Sequence, residues 1–376
     1  MNTPRRHIFK LLGLALAASA AFPALAYHDD EDGLRSGKVF TSTNSTSGNE
    51  LLVYAPSSAG ALSLLKRVPT QGQGSGAGLG SQGAVTLSGN GRYVFVVNAL
   101  SNTLTTLAVH EHDLSITSVV NSGGTRPISV TEHDGIVYVL NAQGTGNVTG
   151  FRNVKGKLQA IPGAVQGLST TSGANPAQVG FSTDGDALVV TEKGTNKLTT
   201  YRVNQRGLIS APLVTASAGQ TPFGFAFDRR DHLIVSAAFG GAADASALSS
   251  YRFQDWAPAK PIVMSASVRT TQTAACWVAV TPNGKYAYTT NTGSGSISSY
   301  RIGRNGHIAL ASAVAGNVGA GSAPIDVSVS ASGHQLYVLN AGTSSIGSYT
   351  VGHDGGLTGY GLVGGLPKGT AGLAAN

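Results

Sequence analysis

The chain has one cysteine, Cys276, so an intrachain disulfide and a cysteine-based zinc site are both excluded. Charge is scarce as well: 11% of residues are charged, against about 25% in an ordinary globular domain. This is not the poverty of a disordered chain, because 41% of residues are hydrophobic and the mean hydropathy is +0.06. Apolar runs at helical period are missing throughout. Beyond the first 26 residues no stretch of about 18 apolar residues occurs, so no membrane span is expected in the mature chain. There is no G-x-S-x-G, Walker A, H-E-x-x-H or EF-hand loop. What is abundant is glycine, 51 of 376 residues, about twice the usual share. It follows no G-X-Y period, which excludes collagen. Glycine-rich, β-branched and poor in charge describes many short strands joined by tight turns.

Residues 1–26 read as an export signal. Arg5, Arg6 and Lys10 form a basic start, Leu11 to Leu25 an apolar run, and Ala24-Leu25-Ala26 a cleavage site. Arg5-Arg6-His7-Ile8-Phe9-Lys10 resembles a twin-arginine signal, with an ordinary secretory signal as the alternative. Either implies a bacterial periplasmic or secreted protein. Without the leader's three cations the balance is 22 basic against 18 acidic residues. No basic stripe with interleaved aromatics exists, so nucleic acid is not an expected partner. Residues 27–36, with His28-Asp29-Asp30-Glu31-Asp32, read as a solvated acidic tail.

The remainder, 37–376, is a repeat. A β-type run ending in Asn or a stand-in occurs at Val39 to Asn44, Tyr93 to Asn98, Val137 to Asn141, Leu188 to Thr191, Leu233 to Ala237, Tyr286 to Asn291 and Leu336 to Asn340. The spacing is roughly 43–55 residues, that of propeller blades. Each unit opens on a Pro-led strand, such as Arg126-Pro127-Ile128 or Ala323-Pro324-Ile325. An Asn-Gly or Asp-Gly turn follows, supplying the positive φ that hairpins need. The Asn-ending strand, a polar loop and two more strands complete a four-stranded antiparallel meander. Seven meanders predict an all-β, seven-bladed β-propeller. The first unit lacks a Pro-led strand, and Pro367 to Ala374 supplies one, so the C-terminal strand should complete the N-terminal blade and close the ring.

The runs Tyr93-Val94-Phe95-Val96-Val97-Asn98, Tyr138-Val139-Leu140-Asn141 and Tyr337-Val338-Leu339-Asn340, with Pro-x-x-Val strands upstream, resemble the YVTN-type repeats of the lactonase family of seven-bladed propellers. That family is similar to 6-phosphogluconolactonase and to the fungal carboxymuconate cyclase. The resemblance spans about 37–376 and implies the fold and a lactonase-like hydrolase; a non-catalytic propeller is the alternative.

Strand parity separates two faces. Strand-one entrances and the loops between strands two and three share one face, where propeller ligands usually sit. His133, His232 and His334 fall in first-to-second turns, and His110, His112, His307 and His353 in third-to-fourth turns, so all are expected in solvated hairpins on the other face. His110-Glu111-His112-Asp113 therefore reads as a turn, and no metal or cofactor is expected. The ligand face offers Arg126 and Asn175 before their prolines, Glu192 and Lys193 in the inner loop of blade 4, and Gln82, Gln178, Thr221, Phe223, Trp277 and Asp326 near the axis. Arg126 is the candidate to polarise a lactone carbonyl, and Glu192 the candidate base toward water. The resemblance implies His, Arg and Glu around the channel; Glu192 resembles the inner-loop glutamate, Arg126 is a looser match, and no histidine corresponds. Gln82, Asn175, Gln178, Thr221, Phe223, Trp277 and Asp326 would line the site for a small lactone or carboxylate; the other reading has an unidentified protein as partner. Asn98, Asn141, Asn291 and Asn340 read as Asx-turns launching the next loop, and Cys276 as a buried small residue. Gly78-Leu79-Gly80-Ser81-Gln82-Gly83 matches a dinucleotide fingerprint but precedes a strand, so it reads instead as part of a flexible loop, Gly72 to Gly83, overhanging the channel.

Overall fold

The computed structural model describes residues 1, 37–57, 61–254 and 257–376. The export signal after Met1 and the whole acidic tail, residues 2–36, lie outside the described residues. The strands form seven four-stranded antiparallel sheets, the all-β propeller that the repeats predict. Among the described residues no helix is long and apolar enough to cross a membrane.

Blades 2 to 7 are meanders in sequence order, with first strands Val85–Leu87, Thr125–His133, Pro176–Phe181, Pro222–Phe227, Ala275–Val280 and Pro324–Val329. In blade 1 the first strand is Ala371–Ala375, from the other end of the chain. It pairs Val39 with Ala375, Phe40 with Ala374 and Thr41 with Leu373. Asn376 fastens the clasp: its N–H donates to the Lys38 carbonyl at 3.1 Å and its Oδ1 accepts from the Lys38 N–H at 2.7 Å. Blade 1 then buries one face against each neighbour. Phe40, Leu51 and Val53 pack with Val94 and Val96 of blade 2, while Val39, Leu52 and Tyr54 pack with Tyr337 and Leu339 of blade 7.

Second strands are sandwiched between blades, and Ala187–Glu192 is buried at every position. A strand covered on both faces needs an unbroken run of apolar or β-branched residues, which is why these runs were the most legible feature of the sequence. Fourth strands lie at the rim, and their exposed positions include Leu64, Val119 and Val263.

Much of the glycine forms sockets between blades. The Tyr138 hydroxyl of blade 3 donates to the Gly207 carbonyl of blade 4 at 2.6 Å. Gly207 has φ +75°, and a Cβ there would lie 2.8 Å from Ile161 and 2.9 Å from Ile136. Gly306 of blade 6 receives the ring of His232 from blade 5 in the same way. His232 therefore departs from the solvated hairpin expected of it. It is 8% exposed, and its Nδ1 lies 2.9 Å from Oδ2 of buried Asp228. The asparagines also differ from the Asx-turn expectation. Asn98 Nδ2 donates to Thr103 and Thr105, Asn291 Nδ2 to Ser296 and Ser298, and Asn340 Nδ2 to Ser345. Each side chain thus pins strand two to strand three, because a buried amide is better satisfied by a neighbouring strand's hydroxyl than by its own loop.

Candidate active site at the strand-one face

The first strands line the axis, and the chain turns sharply into them. At or just before their starts, Gly83, Arg126, Asn175, Thr221, Ala274 and Ala323 all have φ between +44° and +82°. For non-glycine residues this conformation costs about 1 kcal/mol or more, and the neighbouring blade holds it in place. Asn102 Oδ1 accepts the Arg126 N–H at 2.7 Å, and Asn196 Oδ1 accepts the Thr221 N–H at 2.7 Å. Just inside, β-bulges between Pro127 and Ser129, Pro176 and Gln178, Ala275 and Trp277, and Ile325 and Val327 re-aim side chains around the axis.

The centre of this face is organised around Lys193. Its ammonium lies 4.5 Å from the centroid of the Phe223 ring and donates to the Gly80 carbonyl. The Phe223 and Trp277 rings are 4.7 Å apart, and Trp277 Nε1 donates to the Ser81 carbonyl at 2.8 Å. Burial lowers the Lys193 amine to about 8; the Cys276 thiol pulls it upward, and the like charge of Arg126 lowers it further. Burial likewise pushes the Cys276 thiol up to about 11, so it is neutral at physiological pH. Among the described residues no ion pair engages either Lys193 or Arg126. Two half-buried cations close enough for one to lower the other, neither in an ion pair among the described residues, present a place for an anion.

The glycine-rich segment is not loose. Ser81 Oγ donates to the Ile128 carbonyl at 2.8 Å, and the Gln82 N–H donates to the Ala177 carbonyl at 3.1 Å. The Gln82 side chain grips blade 6: its Nε2 donates to the Val278 carbonyl at 2.7 Å and its Oε1 accepts the Val278 N–H at 3.0 Å. Gly224 makes room for this, since a Cβ there would lie 2.2 Å from Gln82 Oε1 and 2.7 Å from the Cys276 carbonyl oxygen. The segment expected to overhang the channel flexibly is thus a plug, fixed to blades 3, 4 and 6.

Glu192 is fully buried, and its carboxylate ties the link between blades 3 and 4 to the inner loop and third strand of blade 4. It accepts the Ser169 N–H at 2.9 Å, the Ser169 hydroxyl, the Thr195 hydroxyl at 2.7 Å and the Thr199 hydroxyl at 2.6 Å. No hydrogen bond or ion pair joins it to Arg126 among the described residues. Glu192 is the last residue of the second strand of blade 4, and Lys193 opens the turn that follows, where the chain leaves the sheet. Sequence reasoning noted Lys193 but did not select it. Thr221 Oγ1 accepts the Gly240 N–H at 3.0 Å, and the Asn175 carbonyl accepts the Lys193 N–H at 3.1 Å.

Below the plug, Gln82, Gln178 and Asp326 line an axial cavity of about 400 Å³. Gln178 joins blades 4 and 5, its Nε2 donating to the Phe225 carbonyl at 3.0 Å and its Oε1 accepting the Phe225 N–H at 2.7 Å. Burial raises the Asp326 carboxyl to about 8, opposed by the Val327 and Leu373 N–H groups. The structure therefore places Phe223 and Trp277 beside Lys193, whose amine feels the charge of Arg126, and puts Gln82, Gln178 and Asp326 in the channel below.

Among solved structures the chain is similar to a putative 6-phosphogluconolactonase from Bacteroides uniformis (16% identity, TM-score 0.68, covering 89% of this chain and 98% of that one). It is also similar to the periplasmic gluconolactonase of Pseudomonas aeruginosa (15%, TM-score 0.68, 89% and 98%). A functionally unknown protein from Desulfotomaculum acetoxidans has the same fold (11%, TM-score 0.67, 90% and 99%). At these identities the likeness is one of fold. No curated protein sequence matches. The family model described as "Lactonase, 7-bladed beta-propeller" matches residues 47–167 and 155–239, half of the chain, and the chain, with its seven four-stranded blades, belongs to that family.

Proposed function

We propose that this propeller is an exported hydrolase that opens a lactone ring on a small acidic sugar derivative. The observation that carries the reading is the pair Arg126 and Lys193, two cations near enough to act on one another, neither in an ion pair among the described residues. One face of the substrate anion meets the Arg126 guanidinium. The neutral Lys193 amine, accessible because burial lowers it to about 8, takes a proton from water as the water oxygen bonds to the lactone carbonyl carbon. Arg126 stabilises the alkoxide that forms. Collapse breaks the ring carbon–oxygen bond, and the leaving oxygen recovers the proton from Lys193, giving the hydroxy acid. Glu192 holds the loop that aims Lys193. The signal at residues 1–26, together with the fold likeness to a periplasmic gluconolactonase, supports a periplasmic or secreted location.

A panel of sugar lactones tests this reading, with Arg126→Ala lowering kcat/KM by about 100-fold or more. A second reading, a non-catalytic propeller that binds a ligand or protein on this face, is favoured by the tie between Lys193 and the Gly80 carbonyl. The absence of any hydrolysis across the panel would support it.

A further inference from the structure

Blade 5 departs from the repeat on the ligand face, and the departure builds a second cleft, independent of the lactonase reading. Its second and third strands, Leu233–Ala237 and Ala247–Gln254, are joined by nine residues, 238–246. The same loop is three or four residues long in blades 2, 3, 4, 6 and 7. The long loop is fastened to both neighbouring links. The Ala238 N–H donates to the Thr221 carbonyl at 3.0 Å, the Phe239 N–H to the Gln220 carbonyl at 3.1 Å, and the Asp244 N–H to Thr273 Oγ1 at 3.1 Å. These bonds hold Phe239 at φ +49°, a left-handed conformation that a bulky aromatic residue keeps only where its surroundings impose it.

Between this loop, the link from blade 4 and the end of the fourth strand of blade 5, Ala257–Arg269, lies a cleft of about 480 Å³, the size of a small-molecule site. The Phe239 ring reaches over Gly219, where a Cβ would lie 3.6 Å from Phe239 Cε2 and 2.5 Å from Ala237 Cβ. With Ala218, Ala245 and Ala247, Gly219 makes a low apolar floor, on which a flat body lies against the ring. The floor is set before a ligand arrives: the Ala218 N–H donates to the Tyr251 hydroxyl at 2.8 Å, and the Ala218 carbonyl accepts the Ser267 hydroxyl at 2.8 Å.

The charge at this cleft has one sign. Arg269 is the one ionisable side chain that lines it, is exposed and takes part in no ion pair among the described residues. Asn196 lines it too, and its Oδ1 is taken by the Thr221 N–H at 2.7 Å, which leaves its amide N–H groups for a ligand. A guanidinium fork at the edge of an apolar slot matches a planar carboxylate on an apolar body. We propose that the cleft binds a small aromatic carboxylate, with its ring against Phe239 and its carboxylate on the Arg269 guanidinium.

The test is titration calorimetry of the full mature chain with sodium cinnamate, using cinnamyl alcohol and sodium acetate as comparators. Cinnamate binds; the alcohol, which lacks the charge, and acetate, which lacks the ring, each bind more weakly by about tenfold or more. Arg269→Gln weakens cinnamate binding by about tenfold or more. Phe239→Asn, which removes the ring and keeps a residue suited to positive φ, also weakens it. Both variants are checked for folding by their melting transitions. Arg126→Ala separates this cleft from the cup and binds cinnamate as the wild type does. No heat from cinnamate, equal affinity for the alcohol, wild-type affinity in Arg269→Gln or Phe239→Asn, or loss of binding in Arg126→Ala would overturn the proposal.

Discussion

The Lys193 ammonium sits 4.5 Å above the Phe223 ring and donates to the Gly80 carbonyl. This places one buried cation between the blade 4 loop, the first strand of blade 5 and the glycine-rich plug. As the base of the proposed reaction, Lys193 acts in its neutral form. Activity on a lactone therefore rises with pH through about 8, the value to which burial lowers this amine. Lys193→Met removes that limb of the profile and lowers kcat by about 100-fold, measured as kcat and kcat/KM against pH.

Asp326 predicts a pH dependence of stability with the opposite sign from an ion-paired carboxylate. Its folded value is raised from 3.8 to about 8, so the folded chain holds a proton that the unfolded chain releases. Its stability contribution is complete below about 4 and is lost as pH rises through about 8. Asp326→Asn removes this loss, and Asn tolerates the φ of +45° at that position. The variant melts with the wild type at pH 4 and above it at pH 8.5, as read by calorimetry.

Gly224 lies beneath the Gln82 side chain, and a Cβ there meets both Gln82 Oε1 and the Cys276 carbonyl. A backbone oxygen cannot step aside, so the glutamine must leave. Gly224→Ala destabilises the fold by about 1–3 kcal/mol and speeds hydrogen exchange of the Gly80–Gln82 amides, while the third and fourth strands of blade 3 exchange as before.

The C-terminal clasp predicts a large effect from a small deletion. Removing residues 366–376 takes away the first strand of blade 1, with buried Leu366, Ala371 and Leu373. It also exposes the second-strand edge and opens the ring. The Tm falls by about 10 °C or more, from several kcal/mol of lost burial at about 2–4 °C each. An unchanged Tm would contradict ring closure as a source of stability.

The blades and their closure were legible because they rest on local rules: unbroken β-branched runs, Asn-Gly and Asp-Gly turns, and a missing first strand with a spare one at the far end. The site was legible in part. Parity chose the face and selected Phe223, Trp277 and Asp326, but it did not decide between Glu192 and Lys193, which are adjacent and lie on either side of the end of the strand. The plug was hidden for a different reason. Gly78 to Gly83 has the composition of a loose loop, and what fixes it is Gln82 gripping Val278, 196 residues away. No pattern within a window of sequence reports a contact of that range. The same holds for His232, whose burial depends on Asp228 and on a glycine in the next blade.

The most direct test of the cup is hydrolysis of a phosphorylated or carboxylated sugar lactone against its neutral counterpart, measured for the wild type, Arg126→Ala and Lys193→Met. The account predicts that the acidic lactone is preferred. It also predicts that Arg126→Ala erases the preference and that each variant loses about 100-fold or more in kcat/KM. Wild-type rates in both variants, on a substrate that the wild type hydrolyses, would contradict it.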